Sequence, residues 1–167
     1  GAFTGVIAVI GRTGYATFQD AVNAAAPGNE SVTLLSDVTE DVTVPVGTYI
    51  FINGQGHTLY GTVTAQVSTD STAVTSLNLH DLVLNGDIDG DGRNDRDFAV
   101  YSANQTNTTV SGLDLDLYQC EVRNYAKKAV YLTNAVELAI EECLFENNAT
   151  ADMNDPNTYG DYTIDLN

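Results

Sequence analysis

The chain has 167 residues, with 23 Asp and Glu against six Lys and Arg, giving a formal charge of −17. That charge repels phosphate backbones and anionic headgroups, so nucleic acid and membrane insertion are set aside and cations become the expected guests. Because 43% of the residues are hydrophobic and the acids are scattered among Val, Ile, Leu and Thr, the length and composition describe one folded acidic domain over 1–167 rather than a disordered tail.

The first residues, GAFTGVIAVIG, lack the basic start of a signal peptide, and no apolar run is long enough to span a bilayer. A start on Gly rather than Met leads us to expect a trimmed segment of a longer chain. The stretch TFQDAVNAAAPG then sets Phe18, Ala21, Val22 and Ala25 at helical spacing, with Thr17 as N-cap and Pro27–Gly28 as a stop. This predicts one amphipathic helix over about 18–26, acting as a cap that occupies about 16–27. From residue 31 onward the pattern changes. SVTLLSDV, DVTVPV, TYIFINGQG, HTLYGTVTAQV and SLNLHDLVLNG are short and β-branched, and Gly, Asn, Asp or Ser separate them.

Comparing the chain with itself sharpens the fold. LDLDLYQCEVRN (113–124) aligns with VELAIEECLFEN (136–147), so that Leu115 meets Leu138, Leu117 meets Ile140, Cys120 meets Cys143, Val122 meets Phe145 and Asn124 meets Asn147. An earlier copy places Leu79, Leu82, Leu84 and Gly86 before Leu117, Cys120, Val122 and Asn124. AVYSAN (99–104) is echoed by AVYLTN (129–134), and YTIDLN (162–167) closes on the same Asn. A repeat of about 23 residues with insertions, made of short strands and an apolar ladder, predicts an all-β right-handed parallel β-helix (solenoid) behind an N-terminal capping α-helix, with coils over about 31–167. Cys120 and Cys143 then stack as a thiol pair of small hydrophobes, and a disulfide between them is geometrically allowed.

Several of these stretches also carry a family likeness. GYATFQDAVNAA, SVTLLSDVTEDVTVP and IFINGQGHTLYGTV resemble the opening of pectate-lyase-like adhesive β-helix domains of bacterial and archaeal surface proteins. The matching positions are Tyr15, Ala16, Thr17, Phe18, Ala21 and Val22, then Leu34, Leu35, Asp37 and Val38, then Gly54, Gly56, His57, Thr58 and Leu59. The resemblance implies a secreted or cell-surface module that binds a glycan or another host or cell-surface ligand. The rival reading is a fragment of a polysaccharide lyase or glycoside hydrolase acting on acidic glycans. A lyase needs Ca²⁺ and a basic residue on the solenoid face, and a hydrolase needs carboxylates around the scissile bond. The basic residues Arg12, Arg93, Arg96, Arg123, Lys127 and Lys128 suit that poorly, and no catalytic motif carries over. His57 reads as a turn residue, and His80 beside Asp81 has no nucleophile that the sequence places next to it.

One insertion stands apart. In NGDIDGDGRNDRDF (85–98), Asp87, Asp89 and Asp91 alternate, Gly92 follows and Asp95 comes ninth, the opening of a calcium loop. A chain wrapping one ion presents every second side chain to it, Arg93 offers its carbonyl, and Asp97 substitutes for the missing twelfth-position Glu, which here is Phe98. Strand-like flanks exclude an EF-hand. The expectation is Ca²⁺ held by an acidic loop over 86–97, in an extracellular setting where that ion is abundant. The final strand lacks a partner for its far edge, which predicts further coils of the same chain or end-to-end self-association there.

Overall fold

The computed structural model describes residues 5–102, 108–149 and 163–166. Asn104, Tyr162 and Asn167, which figured in the repeats, lie outside them. Two short strands come first, β1 (Ala8–Ile10) and β2 (Thr13–Tyr15), followed by helix α1 (Phe18–Ala25). The helix starts where expected, because the Thr17 hydroxyl accepts the Asp20 amide at 3.1 Å, and it runs into a 3-10 turn at Ala26–Gly28. Its remaining free amides find a partner across the chain: the Glu40 carboxylate accepts from Phe18 at 2.7 Å and from Gln19 at 3.2 Å. Gln19 also exchanges two hydrogen bonds with the Thr43 backbone, so α1 is pinned over the first strands that follow it. Phe18, Ala21, Val22 and Ala25 are fully buried beneath.

After α1 come β3 (Ser31–Leu34), β4 (Val38–Thr39), β5 (Val42–Val44), β6 (Tyr49–Asn53), β7 (Thr58–Tyr60) and β8 (Val63–Ala65). They are followed by β9 (Val74–His80), β10 (Val83–Asn85), β11 (Phe98–Ser102), β12 (Gly112–Tyr118) and β13 (Glu121–Arg123). The last are β14 (Lys128–Leu132), β15 (Ala135–Glu141), β16 (Leu144–Glu146) and β17 (Ile164–Leu166). These strands form three sheets, ordered β15-β12-β9-β6-β3-β1-β2, β16-β13-β10-β7-β4 and β17-β14-β11-β8-β5. Consecutive strands from β3 onward enter the three sheets in rotation. Alternation along each strand sends one set of side chains inward, and the inward sets of all three sheets join α1 in a single core. Leu34, Ile52, Leu79 and Leu117 come from the first sheet, Leu59, Leu84 and Val122 from the second, and Val63, Val100 and Val130 from the third.

The fold is therefore mostly β, with three sheets, 17 strands among the described residues and one short helix. This corrects the expected right-handed parallel β-helix. The ladders remain in three separate sheets and do not close into one solenoid surface, and the first sheet is mixed, because β1 runs antiparallel to both β2 and β3. Nor is the spacing uniform: Val42 pairs with Val63, Val63 with Val100, Val100 with Val130 and Val130 with Ile164, steps of 21, 37, 30 and 34. The physical reason is that a sequence repeat reports which positions stack and is blind to how separate sheets meet. The stacking itself is present. Leu115 pairs with Leu138, Leu117 with Ile140, Leu79 with Leu117, Leu84 with Val122 and Val122 with Phe145, as the alignment required.

The turns that carry the chain between sheets use left-handed backbone. Gln55, Asp81, Gln119 and Glu142 have φ near +50° where strands of the first sheet give way to the second, and Asn124 and Asn147 do the same after the second. Asn tolerates this region well, and here it also links passes: Asn124 donates to the Asn85 side chain at 3.0 Å and Asn147 donates to Asn124 at 2.8 Å. At the outer edge, β15, β16 and β17 have no further strand beside them among the described residues. Val136 is accordingly 62% exposed and Leu144 49%, whereas Leu115 and Leu117 one pass inside are fully buried.

Candidate metal centre

The acidic loop fills the turn between β10 and β11, where the second sheet gives way to the third. Its base is built from the Asn column, since Asn85 accepts the Asp87 amide at 2.9 Å through the same oxygen that takes the Asn124 amide. Gly86 is required there: a Cβ would stand 2.3 Å from the Asn124 carbonyl oxygen. Gly90 and Gly92 then turn the chain with φ of +72° and +85°. Asp87 is the inner residue at 8% exposure, and its two carboxylate oxygens accept Gly90 N–H at 3.0 Å and Gly92 N–H at 2.9 Å.

Around that pivot the other carboxylates fold back on the backbone. Asp89 accepts the Asp91 amide at 3.1 Å, Asp91 accepts the Arg93 amide at 2.7 Å, and Asp95 accepts the Ile88 amide at 2.7 Å. Gly86 O takes the Asp95 and Arg96 amides, which closes the loop on itself. One oxygen from each of Asp87, Asp89, Asp91 and Asp95 lies within 4.8 Å of all the others, so the four can hold a metal ion. Like charge so close disfavours ionisation. The Asp91 amide is the largest single influence on Asp89 and lowers its pKa, but desolvation and the side chains of Asp91 and Asp95 outweigh it and leave the carboxyl raised.

Four of the six expected residues are thus brought together. Asp97 is not among them, because its carboxylate faces the Lys127 ammonium at 3.4 Å and its carbonyl accepts the Lys127 and Lys128 amides. Arg93 is exposed and donates its amide to Asp91. Two anchors were not anticipated. Arg96 Nε reaches both oxygens of Asp41, at 2.9 and 3.2 Å, and its carbonyl accepts the Ala126 amide, so the loop's exit is tied to the turns after β4 and β13. Burial is the largest influence on Asp41 and would raise its pKa, but Arg96 and the Thr62 amide overcome it and lower it. Nearby, Tyr125 is fully buried and donates to Gly61 O at 2.6 Å, and burial raises its pKa well above the usual value.

The two histidines have structural surroundings. His57 Nδ1 is 3.4 Å from Asp37, beside the left-handed turn of Gln55 and Gly56. His80 sits between two rings, 4.3 Å from Phe51 and 5.3 Å from Tyr118. No helix among the described residues is long and apolar enough to cross a membrane. No protein-family model matches this chain, and neither a curated protein nor a solved structure does so.

Proposed function

We propose that this chain is a non-catalytic binding module of an extracellular surface, stabilised by a Ca²⁺ ion in the loop between β10 and β11. The observation that carries the reading is the grouping of Asp87, Asp89, Asp91 and Asp95. Oxygens sharing one ion are separated by at most twice the metal–oxygen distance, about 4.6–5.2 Å for Ca²⁺ and about 4.0–4.2 Å for Mg²⁺. Separations within 4.8 Å are compatible with Ca²⁺, the loop's spacing is that of a calcium loop, and an all-carboxylate set gives no soft donor to Zn²⁺. The ion offsets half of the charge of four carboxylates in one turn and fastens the strands on either side. An acidic surface of this kind tolerates millimolar salts and divalent cations, which accords with life outside the cell.

The adhesive role follows the likeness to pectate-lyase-like surface domains, with a glycan or another cell-surface ligand as partner. Calorimetric titration with CaCl₂ and with MgCl₂, alongside thermal melts in CaCl₂ and in EGTA, tests the ion. Heat of binding and a higher Tm with Ca²⁺ alone are expected, and equal melts in CaCl₂ and EGTA overturn the assignment. Incubation with polygalacturonate and Ca²⁺ tests the absence of catalysis, and the appearance of an unsaturated product absorbing in the ultraviolet overturns it.

A further inference from the structure

The two cysteines of the chain are both thiols in this structure, and they occupy equivalent places on neighbouring passes. Each follows a residue in left-handed backbone, Gln119 at φ +52° and Glu142 at φ +52°, so the two turns have the same shape. Each precedes a strand of the second sheet whose partners are in register, Glu121 with Leu144, and the Leu144 amide donates to Cys120 O at 3.0 Å. Even the thiol contacts repeat. Cys120 Sγ donates toward Leu79 O at 3.2 Å and Tyr118 O at 3.5 Å, and Cys143 Sγ donates toward Leu117 O at 3.3 Å and Glu141 O at 3.2 Å. In-register parallel neighbours are about 4.8 Å apart, within the Cα separation of about 4.4–6.8 Å that a disulfide spans.

We propose that Cys120 and Cys143 are an oxidisable pair that closes into a disulfide between the two outermost passes when a small-molecule disulfide is present. Their unequal burial sets the order of events. Cys143 is partly exposed at the open edge, whereas Cys120 is 1% exposed and burial first, with the neighbouring Cys143 adding to it, pushes its thiol up to about 12. Cys143 therefore reacts first. Its thiolate attacks one sulfur of the reagent, forming a mixed disulfide and expelling one small thiolate. Cys120 then attacks the Cys143 sulfur, forming the internal bond, and its proton leaves with the second small thiol that is expelled. The two cysteine sulfurs are oxidised by two electrons, and the reagent disulfide is reduced to two thiols. Glu141 and Glu142 immediately precede Cys143 and disfavour anionic reagents, so a cationic disulfide reacts faster than glutathione disulfide.

The test is incubation of the folded chain with cystamine at mildly alkaline pH, trapping of free thiols with iodoacetamide after acid quench, and mass spectrometry of the intact and digested protein. The expected product has lost two hydrogens, contains a peptide pair joined through Cys120 and Cys143, and melts about 5–10 °C higher than the reduced form. In Cys120→Ser the cystamine adduct must persist on Cys143. A lasting adduct on Cys143 of the unmodified chain with Cys120 still free, disulfide-linked dimers, or two unreacted thiols would each overturn the proposal. If Cys120→Ser fails to fold, the time course of the unmodified chain decides: a transient adduct followed by its loss supports the order of attack, and formation of the bond without an adduct refutes it.

Discussion

Asp87→Asn separates what the loop contributes by itself from what an ion adds. In the wild-type chain both Asp87 oxygens accept backbone amides, from Gly90 and Gly92, in a site only 8% exposed. Asparagine keeps one acceptor but turns an NH₂ toward the second amide, so one charge-assisted bond is lost and two donors face each other. Bonds of this type contribute about 1.5–3 kcal/mol, and the buried amide left without a partner keeps the cost in that range. For a chain of this length that corresponds to about 3–12 °C in Tm. The comparison is made by urea denaturation and thermal melts in EGTA, and again with Ca²⁺ at a hundredfold excess over Kd, where binding to the native state adds about 2.7 kcal/mol to the wild type. Asp87→Asn is expected to be less stable in EGTA and to gain less from Ca²⁺. Stability equal to wild type in EGTA would refute the pivot role of this carboxylate, and an undiminished Ca²⁺ gain would remove Asp87 from the ligand set.

Asp89→Asn should behave in the opposite sense without metal, because it removes a like charge next to Asp91 and Asp95: Tm rises in EGTA and falls relative to wild type in CaCl₂, as paired melts will report. The pH dependence follows the same logic. Asp89 is raised in the folded state, so without metal the protein gains stability as pH falls through that raised value down to the ordinary 3.8, and a Ca²⁺-loaded sample should lose this gain. Asp41 is lowered, so the stability it supplies is complete above 3.8 and disappears as pH falls below that through its folded value, and Asp41→Asn should flatten that part of the acid-unfolding curve. Arg96→Ala removes a pair whose side chains are 36% and 55% exposed, so solvent screening limits the loss to about 0.5–1 kcal/mol by urea titration, with weaker Ca²⁺ binding by calorimetry. Leu117→Ala should cost about 2–5 kcal/mol and Ile140→Ala clearly less, because the first is fully buried and the second only partly covered at the open edge.

The sequence was most legible where one local rule governs. Thr17 and the spacing of Phe18, Ala21, Val22 and Ala25 announced the helix, since a cap and a buried face are written in adjacent residues. The repeat gave the strand partners, because positions that stack in a shared core must all be apolar, as Leu115 and Leu138 or Val122 and Phe145 are. It failed on sheet arrangement, because the antiparallel β1–β2 pair and the separation into three sheets depend on turn geometry that no spacing encodes. The four clustered aspartates were readable from alternation alone. What the spacing could not show is that the Asp97 carboxylate faces Lys127, a residue 30 positions away, and that the Asp41 anchor lies 55 positions from Arg96. Pairings of that kind leave no periodic trace.

The loop's place in the fold explains why so acidic an insertion is tolerated. Between Val63 and Val100 the third sheet takes its longest step, 37 residues, yet the ladder resumes in register, with Tyr101 against Thr64 on one side and Tyr131 on the other. Most of the extra chain lies within the turn between β10 and β11, and it interrupts no strand pairing. Its ends are fixed by contacts that need no metal: Asn85 and Gly86 at the entrance, Arg96 O and Asp97 O at the exit. What those contacts leave unresolved is the repulsion among four carboxylates drawn within 4.8 Å. A strand-forming sequence would relieve it by moving the charges apart, but backbone bonds to each of the four hold them in place. A divalent cation bound among them offsets part of that repulsion. Hence the ion should act mainly on stability and on the rigidity of the turn, leaving the register of β10 and β11 unchanged, and amide hydrogen exchange with and without Ca²⁺ should differ in residues 86–97 far more than in the flanking strands.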